Sequence, residues 1–129
     1  MITARIWRER RQRYLNEVAK CSGCGRMHFP PRAICDACGA TEFVPVRMVE
    51  TGKLLTWTVI RVAPHAFSQE VPYIVAVAEM DDGTRLMTQV ADAAPEEIKA
   101  GMPVRLEFRK VRQWGRTGII AYAHKLVPL

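Results

Sequence analysis

The four cysteines of the chain fall into two pairs whose spacing suits metal binding. Cys21 and Cys24 form the first Cys-x-x-Cys pair, Cys35 and Cys38 form the second, and a glycine directly follows each pair. Two intervening residues are the shortest spacing that turns both thiolates toward one ion, and zinc takes four such ligands in a tetrahedron. The pattern therefore predicts that Cys21, Cys24, Cys35 and Cys38 bind one metal ion.

The segment between the two pairs has the length of a short hairpin. Its ten residues, 25–34, would bring the second knuckle over the first, as in a zinc ribbon of the rubredoxin type. A cage of four cysteines leaves no open position for water or substrate, so we expect structural zinc; iron can occupy the same cage. The metal is then expected to hold the fold and not to do chemistry.

Two disulfides, or a redox-active Cys-x-x-Cys, are the competing interpretations. Both need a context that this sequence does not supply, because the residues before Cys21 are rich in arginine and contain no apolar secretory segment. In a reducing cytosol, paired thiols favour metal over disulfide. We therefore expect a cytoplasmic protein. No stretch approaches the roughly 20 apolar residues of a membrane span, so no membrane association is expected.

The formal charge is +6, with a sequence pI near 9.5, which at first suggests nucleic acid. Four thiolates on one divalent zinc would lower that charge to about +4. The basic surplus lies in residues 1–47, which hold nine basic and four acidic side chains. The electrostatic case for nucleic acid is therefore weak.

The pattern of apolar residues predicts a helical segment followed by strands. Residues 3–19 show helical spacing behind a Thr3 cap, although arginines interrupt the stripe, which also allows two short helices. Residues 43–48 are expected to close the ribbon. Five later runs are rich in β-branched and aromatic residues: 54–62, 73–80, 85–91, 104–111 and 119–126.

The connections between these five runs suggest a barrel. Asp82-Gly83 favours a tight turn between the second and third runs, and Pro95 can begin a helix over residues 94–99. The order β-β-β-α-β-β is typical of an OB-fold, although a plain five-stranded sheet stays open. The predicted fold is mainly β: an N-terminal helical segment (1–20), a rubredoxin-like zinc ribbon (21–48) and a five-stranded OB-fold barrel (49–129).

Several segments together resemble one known family, and they cover nearly the whole chain. These are Ile6-Trp7-Arg8, Arg13-Tyr14, Phe29-Pro30-Pro31-Arg32 between the knuckles, and residues 55–59, 72–76 and 101–104. The chain resembles the OB-fold acyl-CoA-associated family with a rubredoxin-like zinc ribbon, in its archaeal type.

The resemblance implies a non-catalytic scaffold for thiolase-type enzymes. In the archaeal type, the protein bridges acetoacetyl-CoA thiolase and hydroxymethylglutaryl-CoA synthase at the head of the mevalonate pathway of isoprenoid biosynthesis. Thiolysis favours breakdown of acetoacetyl-CoA, so passing that intermediate directly to the synthase couples an uphill condensation to a downhill one. Other branches pair with lipid-transfer-type thiolase relatives or with acyl-CoA hydratases.

The residues themselves agree with a non-enzymatic role. His28, His65 and His124 have no carboxylate at a spacing that suggests a charge relay, and all four cysteines are committed to metal. A cofactor site for coenzyme A near Arg105, Arg109 and Arg116 is unassigned, because nothing in the sequence converges them on one pocket. We expect the enzyme-facing surface to comprise Trp7, Arg8, Arg13, Tyr14, Phe29, Pro30, Pro31 and Arg32.

The alternative function is binding of single-stranded nucleic acid, since OB barrels read strands with aromatic platforms and basic grooves. Among the aromatic residues, only Trp114 has the sequence context of an exposed platform, next to Arg116. Tyr73, Phe108 and Tyr122 are expected as strand residues. Because so few aromatic residues are expected to be exposed beside basic residues, nucleic acid is the less favoured partner.

Overall fold

The computed structural model describes residues 3–129, which separate into two compact units. One unit contains residues 3–49 and the turn residues 82–84, and the other contains residues 50–81 and 85–129. The first two residues of the predicted N-terminal segment lie outside the described residues. The architecture is mainly β, as predicted, with a zinc ribbon before a closed barrel.

Two short helices open the described chain. Helix α1 is Ala4–Arg8, where the Thr3 side chain accepts a hydrogen bond from the Ile6 amide at 3.3 Å, and helix α2 is Arg10–Leu15. The expectation of helix up to residue 19 is wrong. Asn16 adopts the left-handed conformation (φ 50°), which ends α2, and the chain continues as a strand. Within residues 3–129, no helix has the length and hydropathy to span a membrane.

A three-stranded antiparallel sheet forms the ribbon. Its strands are β1 (Glu17–Cys21), β2 (Met27–His28) and β3 (Phe43–Arg47), in the spatial order β2-β1-β3. The closing strand predicted over residues 43–48 is confirmed. Because β1 starts at Glu17, the ribbon sheet begins four residues before the first cysteine.

The remaining strands close into a barrel in the order β4-β5-β6-β8-β7. All neighbours pair antiparallel except β6 and β8, which meet in parallel through the single pair Val90 and Leu126. The five predicted runs are thus confirmed, with the bounds β4 Thr51–Ile60, β5 Tyr73–Met80, β6 Arg85–Val90, β7 Pro103–Gln113 and β8 Ile120–Pro128.

Of the turn and the helix predicted between these strands, the turn is confirmed and the helix is not. The turn between β5 and β6 forms, with Gly83 at a φ of 88°. The helix predicted over 94–99 is only a single 3-10 turn, Pro95–Glu97. The Glu97 carboxylate accepts a hydrogen bond from the Ala94 amide at 2.8 Å, and Ile98 is already extended, so the turn does not continue.

Alternate residues of the barrel strands form its core. A bulge in β4 between Leu54 and Thr56 shifts the alternation by one residue, so that Trp57 pairs with Ala76 and occupies the face used by Leu54 before the bulge. The buried apolar side chains of this core are Leu54, Ile74, Ala76, Ala78, Met80, Val90, Val104, Leu106 and Leu126.

Gly52 provides a test of strand packing. This glycine lies in β4 with Met80 of β5 on one side and Val104 of β7 on the other. A Cβ added there would lie 2.5 Å from the Glu79 carbonyl oxygen and 2.7 Å from the Met80 Cα, both of which are backbone atoms. Because the backbone cannot rotate away, Gly52→Ala is expected to lower the free energy of unfolding by about 2 kcal/mol or more.

Thermal or urea unfolding measures this loss. Lys53→Ala, at the next and exposed position of β4, is the matched control and should leave the midpoint nearly unchanged. Equal midpoints for Gly52→Ala and the unaltered chain would contradict the close contact between β4 and β5.

Candidate metal centre and partner surface

The two cysteine pairs sit in turns of the same geometry. The Gly25 amide donates to the Cys21 carbonyl, and the Gly39 amide to the Cys35 carbonyl, each at 3.0 Å. Both glycines have positive φ, 77° and 73°, a conformation that costs a residue with a Cβ but not glycine. The repeated turn is what directs both sulfurs of each pair to the same side.

The four sulfur atoms converge on one point. All lie within 4.8 Å of one another, with 3.4 Å between the Sγ atoms of Cys21 and Cys38 and 3.6 Å between those of Cys24 and Cys35. A tetrahedron with metal to sulfur bonds of the length found for zinc has sulfurs about 3.8 Å apart. None of the four forms a disulfide. The donor set and its spacing therefore fit a tetrahedral zinc ion.

The pKa values of the thiols also indicate that the site needs a cation. The Cys24 backbone amide lowers the pKa of Cys21 to about 6, against an opposing effect of burial, and the Cys38 amide lowers the pKa of Cys35 to about 7. At Cys38 the Ala40 amide lowers the pKa, but the neighbouring Cys21 sulfur and burial outweigh it and raise the pKa to about 12. Four adjacent sulfurs cannot all ionise unless a cation neutralises them.

His28 lies directly behind this cluster, a contact that the sequence analysis did not predict. Its Nε2 atom is 3.4 Å from the Cys35 sulfur and 3.9 Å from the Asp36 carboxylate, and its side chain is buried. The ring edge packs against Phe43 with centroids 5.6 Å apart, which fixes its orientation. An Nε2–H donated to a thiolate lowers the charge density on sulfur and orients the ligand.

The helical half of the predicted partner surface is exposed. Trp7 is 61% exposed and Tyr14 is 51% exposed, while Arg8 and Arg13 also face solvent. Arg13 donates to the Glu9 carboxylate at 3.0 Å, and with Arg5 it lowers the pKa of Glu9.

Sequence reasoning missed Arg10, whose guanidinium lies 4.3 Å from the centroid of the Trp7 ring. Its spacing of three residues from Trp7 in the sequence was the available signal, because residues three apart meet on a helix surface.

The ribbon half of the predicted surface meets helix α2 at a cleft. Pro31 and Arg32 line this cleft, of about 240 Å³, together with Gln12 of α2 and Phe43 and Pro45 of β3. Phe29 is half-buried and joined to the exposed Pro30 by a cis peptide bond. The structure thus brings Pro31 and Arg32 beside α2. Ile34, 61% exposed in the same loop, was not among the predicted residues.

Two of the three arginines considered for coenzyme A are paired with different carboxylates. Arg105 pairs with Glu107 at 2.8 Å, and Arg109 pairs with Asp92. The Arg116 carbonyl accepts from the Gln113 side chain. The half-buried Trp114 ring lies under the Arg112 guanidinium, which is 4.6 Å from the ring centroid.

Two family models match the chain in sequence order. Residues 17–44 match the ChsH2 rubredoxin-like zinc ribbon domain, and residues 45–109 match the ChsH2 C-terminal OB-fold domain. Together they include both cysteine pairs, three of the five barrel strands in full and β7 as far as residue 109. The chain therefore carries a rubredoxin-like zinc ribbon whose metal is structural zinc, followed by an OB-fold.

Similar proteins differ in how much of their own length this chain covers. A "DUF35 domain-containing scaffold protein" of Methanocaldococcus jannaschii is 36% identical over 99% of this chain and 92% of its own length. A "probable enoyl-CoA hydratase alpha subunit" of Thermomonospora curvata is 35% identical over 80% of this chain but only 32% of its own length. The solved structure "Ltp2-ChsH2(DUF35) aldolase" superposes with a TM-score of 0.72 at 28% identity, covering 95% of this chain and 90% of that one.

Removing one sulfur tests the metal centre. Cys24→Ser is expected to abolish stoichiometric zinc binding and to unfold the ribbon, because metal binding supplies about 10–16 kcal/mol to modules of this size. Native mass spectrometry gives zinc per chain, and Ser22→Ala, in the same exposed knuckle, is the control that should keep one zinc. A ribbon that stays folded without metal in the Cys24→Ser variant would contradict the structural role.

His28→Leu tests the contact behind Cys35. The variant should still bind one zinc. Its rate of zinc release to a chelator should be about tenfold higher, as expected when a hydrogen bond to a metal ligand is lost. His65→Leu makes the same exchange at an exposed position of the other unit and should have no effect. Equal rates for His28→Leu and the unaltered chain would show that the Nε2 contact with Cys35 does not hold the metal.

Proposed function

Because the chain belongs to the DUF35 family of proteins that join a ChsH2-type zinc ribbon to an OB-fold, we propose that it is a non-catalytic scaffold for thiolase-type acyl-CoA enzymes. The single observation that carries this proposal is similarity along nearly the whole length to a relative named as a scaffold protein.

The solved relative supports the class of partner. Its name joins a ChsH2(DUF35) protein to Ltp2 in an aldolase, and its fold covers almost all of this chain. The hydratase alpha subunit, by contrast, contains the similar region as about a third of a longer chain. The scaffold relative of Methanocaldococcus jannaschii is instead covered over 92% of its own length, which favours an accessory role over that of an enzyme.

We infer more specifically that the chain bridges acetoacetyl-CoA thiolase and hydroxymethylglutaryl-CoA synthase in a cytoplasmic complex of the mevalonate pathway. The reason is chemical coupling. The thiolase equilibrium favours breakdown of acetoacetyl-CoA. A synthase that the bridge holds nearby consumes this product before it is released or cleaved again by the thiolase. The resemblance of the segments around Trp7 and Phe29 to the archaeal type supports this pair of enzymes.

The proposed role assigns functions to two groups of residues. Cys21, Cys24, Cys35 and Cys38 are the proposed zinc ligands, which hold the ribbon in shape. The proposed enzyme-facing surface is Trp7, Arg8, Arg13, Tyr14, Phe29, Pro30, Pro31 and Arg32. Exposed aromatic and arginine side chains are the types that protein interfaces enrich, and Trp7 is already held by the Arg10 guanidinium, which reduces the entropy lost on binding.

Reconstitution with purified enzymes tests this function. The zinc-loaded chain, mixed with both enzymes from the same source, should elute with them as one complex in size-exclusion chromatography, whereas the enzymes without the chain should elute separately. Arg8→Glu with Arg13→Glu should weaken the binding of one enzyme at least about tenfold, through lost charge complementarity, and should leave zinc content unchanged.

The matched control is Arg61→Glu with Arg85→Glu. It reverses the same number of exposed arginines, and it too breaks one pair with a glutamate, since Arg85 contacts Glu79 at 3.5 Å. Assembly unaffected by the Arg8 and Arg13 reversal would remove the proposed surface. Failure of the unaltered chain to bind either enzyme would remove the proposed function.

A further inference from the structure

The last two strands of the barrel extend beyond the rest of it. Strand β7 pairs with β4 only at residues 103–105, and β8 pairs with β6 only at Leu126. From the pair Phe108 and His124 to the pair Gln113 and Ile120, β7 and β8 pair only with each other within the described part of the chain. We call residues 108–124 the β7–β8 arm.

One face of this arm is aromatic and apolar. Phe108 pairs with His124, and Lys110 pairs with Tyr122, so these four side chains share a face. The Phe108 ring stacks on the Tyr122 ring, with ring centroids 5.6 Å apart and an angle of 22° between the ring planes. The centroid of the His124 ring lies 5.1 Å from that of Phe108. Phe108 is nevertheless 49% exposed and Tyr122 44% exposed, and Ile120 beside them is 40% exposed. The rings are held in place but remain open to a partner.

The arm also carries positive charge that its own unit does not neutralise. It contains four basic residues and no carboxylate. Arg109 is paired with Asp92, but Lys110 contacts the amide oxygen of Gln113 at 3.0 Å and Arg112 lies over Trp114. Within residues 3–129, Lys110, Arg112 and Arg116 form no salt bridge. Their charge is available to an acidic partner.

We propose that the β7–β8 arm is the docking site for the second enzyme of the bridge, on a surface with an apolar centre and a rim of carboxylates. This inference rests on the proposed function, which requires two separate binding surfaces, whereas the predicted surface at Trp7 and Arg8 provides one. Tryptophan, tyrosine and arginine carry most of the binding energy at protein interfaces, and the arm presents all three on a paired, hydrogen-bonded support. The stacked rings and the Arg112 stack lose little further freedom on binding.

The charge distribution favours a protein over a nucleic acid. A binder of single strands needs a groove of cations that follows the phosphate backbone. Here residues 48–129 hold ten basic and nine acidic side chains, and of the seven cations there that form no salt bridge only Lys110, Arg112 and Arg116 lie on the arm. The Phe108 and Tyr122 rings also stack on each other, which covers one face of each ring that a base would use.

Two variants of the arm separate charge from apolar contact. The first is Lys110→Glu, Arg112→Glu and Arg116→Glu together, and the second is Ile120→Asp alone. Each should weaken the binding of one purified enzyme at least about tenfold while leaving the other enzyme bound. The enzyme lost should be the one that the Arg8 and Arg13 reversal retains. The affinity lost in the charge variant should depend on salt concentration.

The controls are matched to the two changes. Lys53→Glu, Arg61→Glu and Lys99→Glu together reverse three exposed charges elsewhere on the same unit, and Val62→Asp places a carboxylate at a side chain that is 91% exposed. These variants should bind both enzymes. Zinc content and the midpoint of thermal unfolding should match the unaltered chain for every variant, because the arm residues lie outside the buried core.

Three outcomes would overturn the inference, and they are distinguishable from one another. If both arm variants retain both enzymes, the arm is not a docking site, and the proposed scaffold function is unaffected. Binding of neither enzyme by the unaltered chain would remove the scaffold function together with the arm. Binding of a labelled single-stranded oligonucleotide of about 20 nucleotides at physiological salt, lost in the charge variant, would assign the arm to nucleic acid.

Discussion

The convergence of four sulfur atoms is the constraint on which the N-terminal unit depends. Its three strands contain five, two and five residues, and few apolar side chains besides Val18 and Ala19 are buried there. Two of the most deeply buried side chains are themselves cysteines, Cys21 and Cys35. A sheet of this size cannot remove enough apolar surface from water to fold on its own. The metal therefore takes the place of a hydrophobic core, and the loop with Pro31 and Arg32 owes its position to it.

Local spacing made much of this structure predictable. Each cysteine pair specifies its own turn, and Asp82-Gly83 specifies another, because these signals need only a few consecutive residues. The five barrel strands were also predictable from runs of β-branched residues. Helix lengths were not, since the apolar stripe continues to Val18 although the chain turns at Asn16 and Val18 is buried in a strand. Tertiary pairing of β1 with β3 decided that segment, which helical periodicity does not report.

The sites beyond the cysteines show a second limit of sequence reasoning. Alternation places Leu106 and Phe108 on the same face of β7, yet Leu106 is 5% exposed and Phe108 is 49% exposed. The difference arises because other strands of the barrel cover Leu106, and a pattern along one strand does not reveal where its neighbours stop. His28 is similar, because it reaches the Cys35 sulfur from seven positions away only through the pairing of β1 with β2.

The barrel is closed by a much smaller contact than the ones that build it. Where β6 meets β8, the two strands share the pair Val90 and Leu126, with the Ala91 amide donating to the Leu126 carbonyl at 2.8 Å. Every other neighbouring pair has at least three residues in register. The cylinder is thus a rolled sheet with one weak seam. Local opening begins where the fewest backbone hydrogen bonds must break, so amide hydrogens along this seam exchange with solvent before those between β4 and β5.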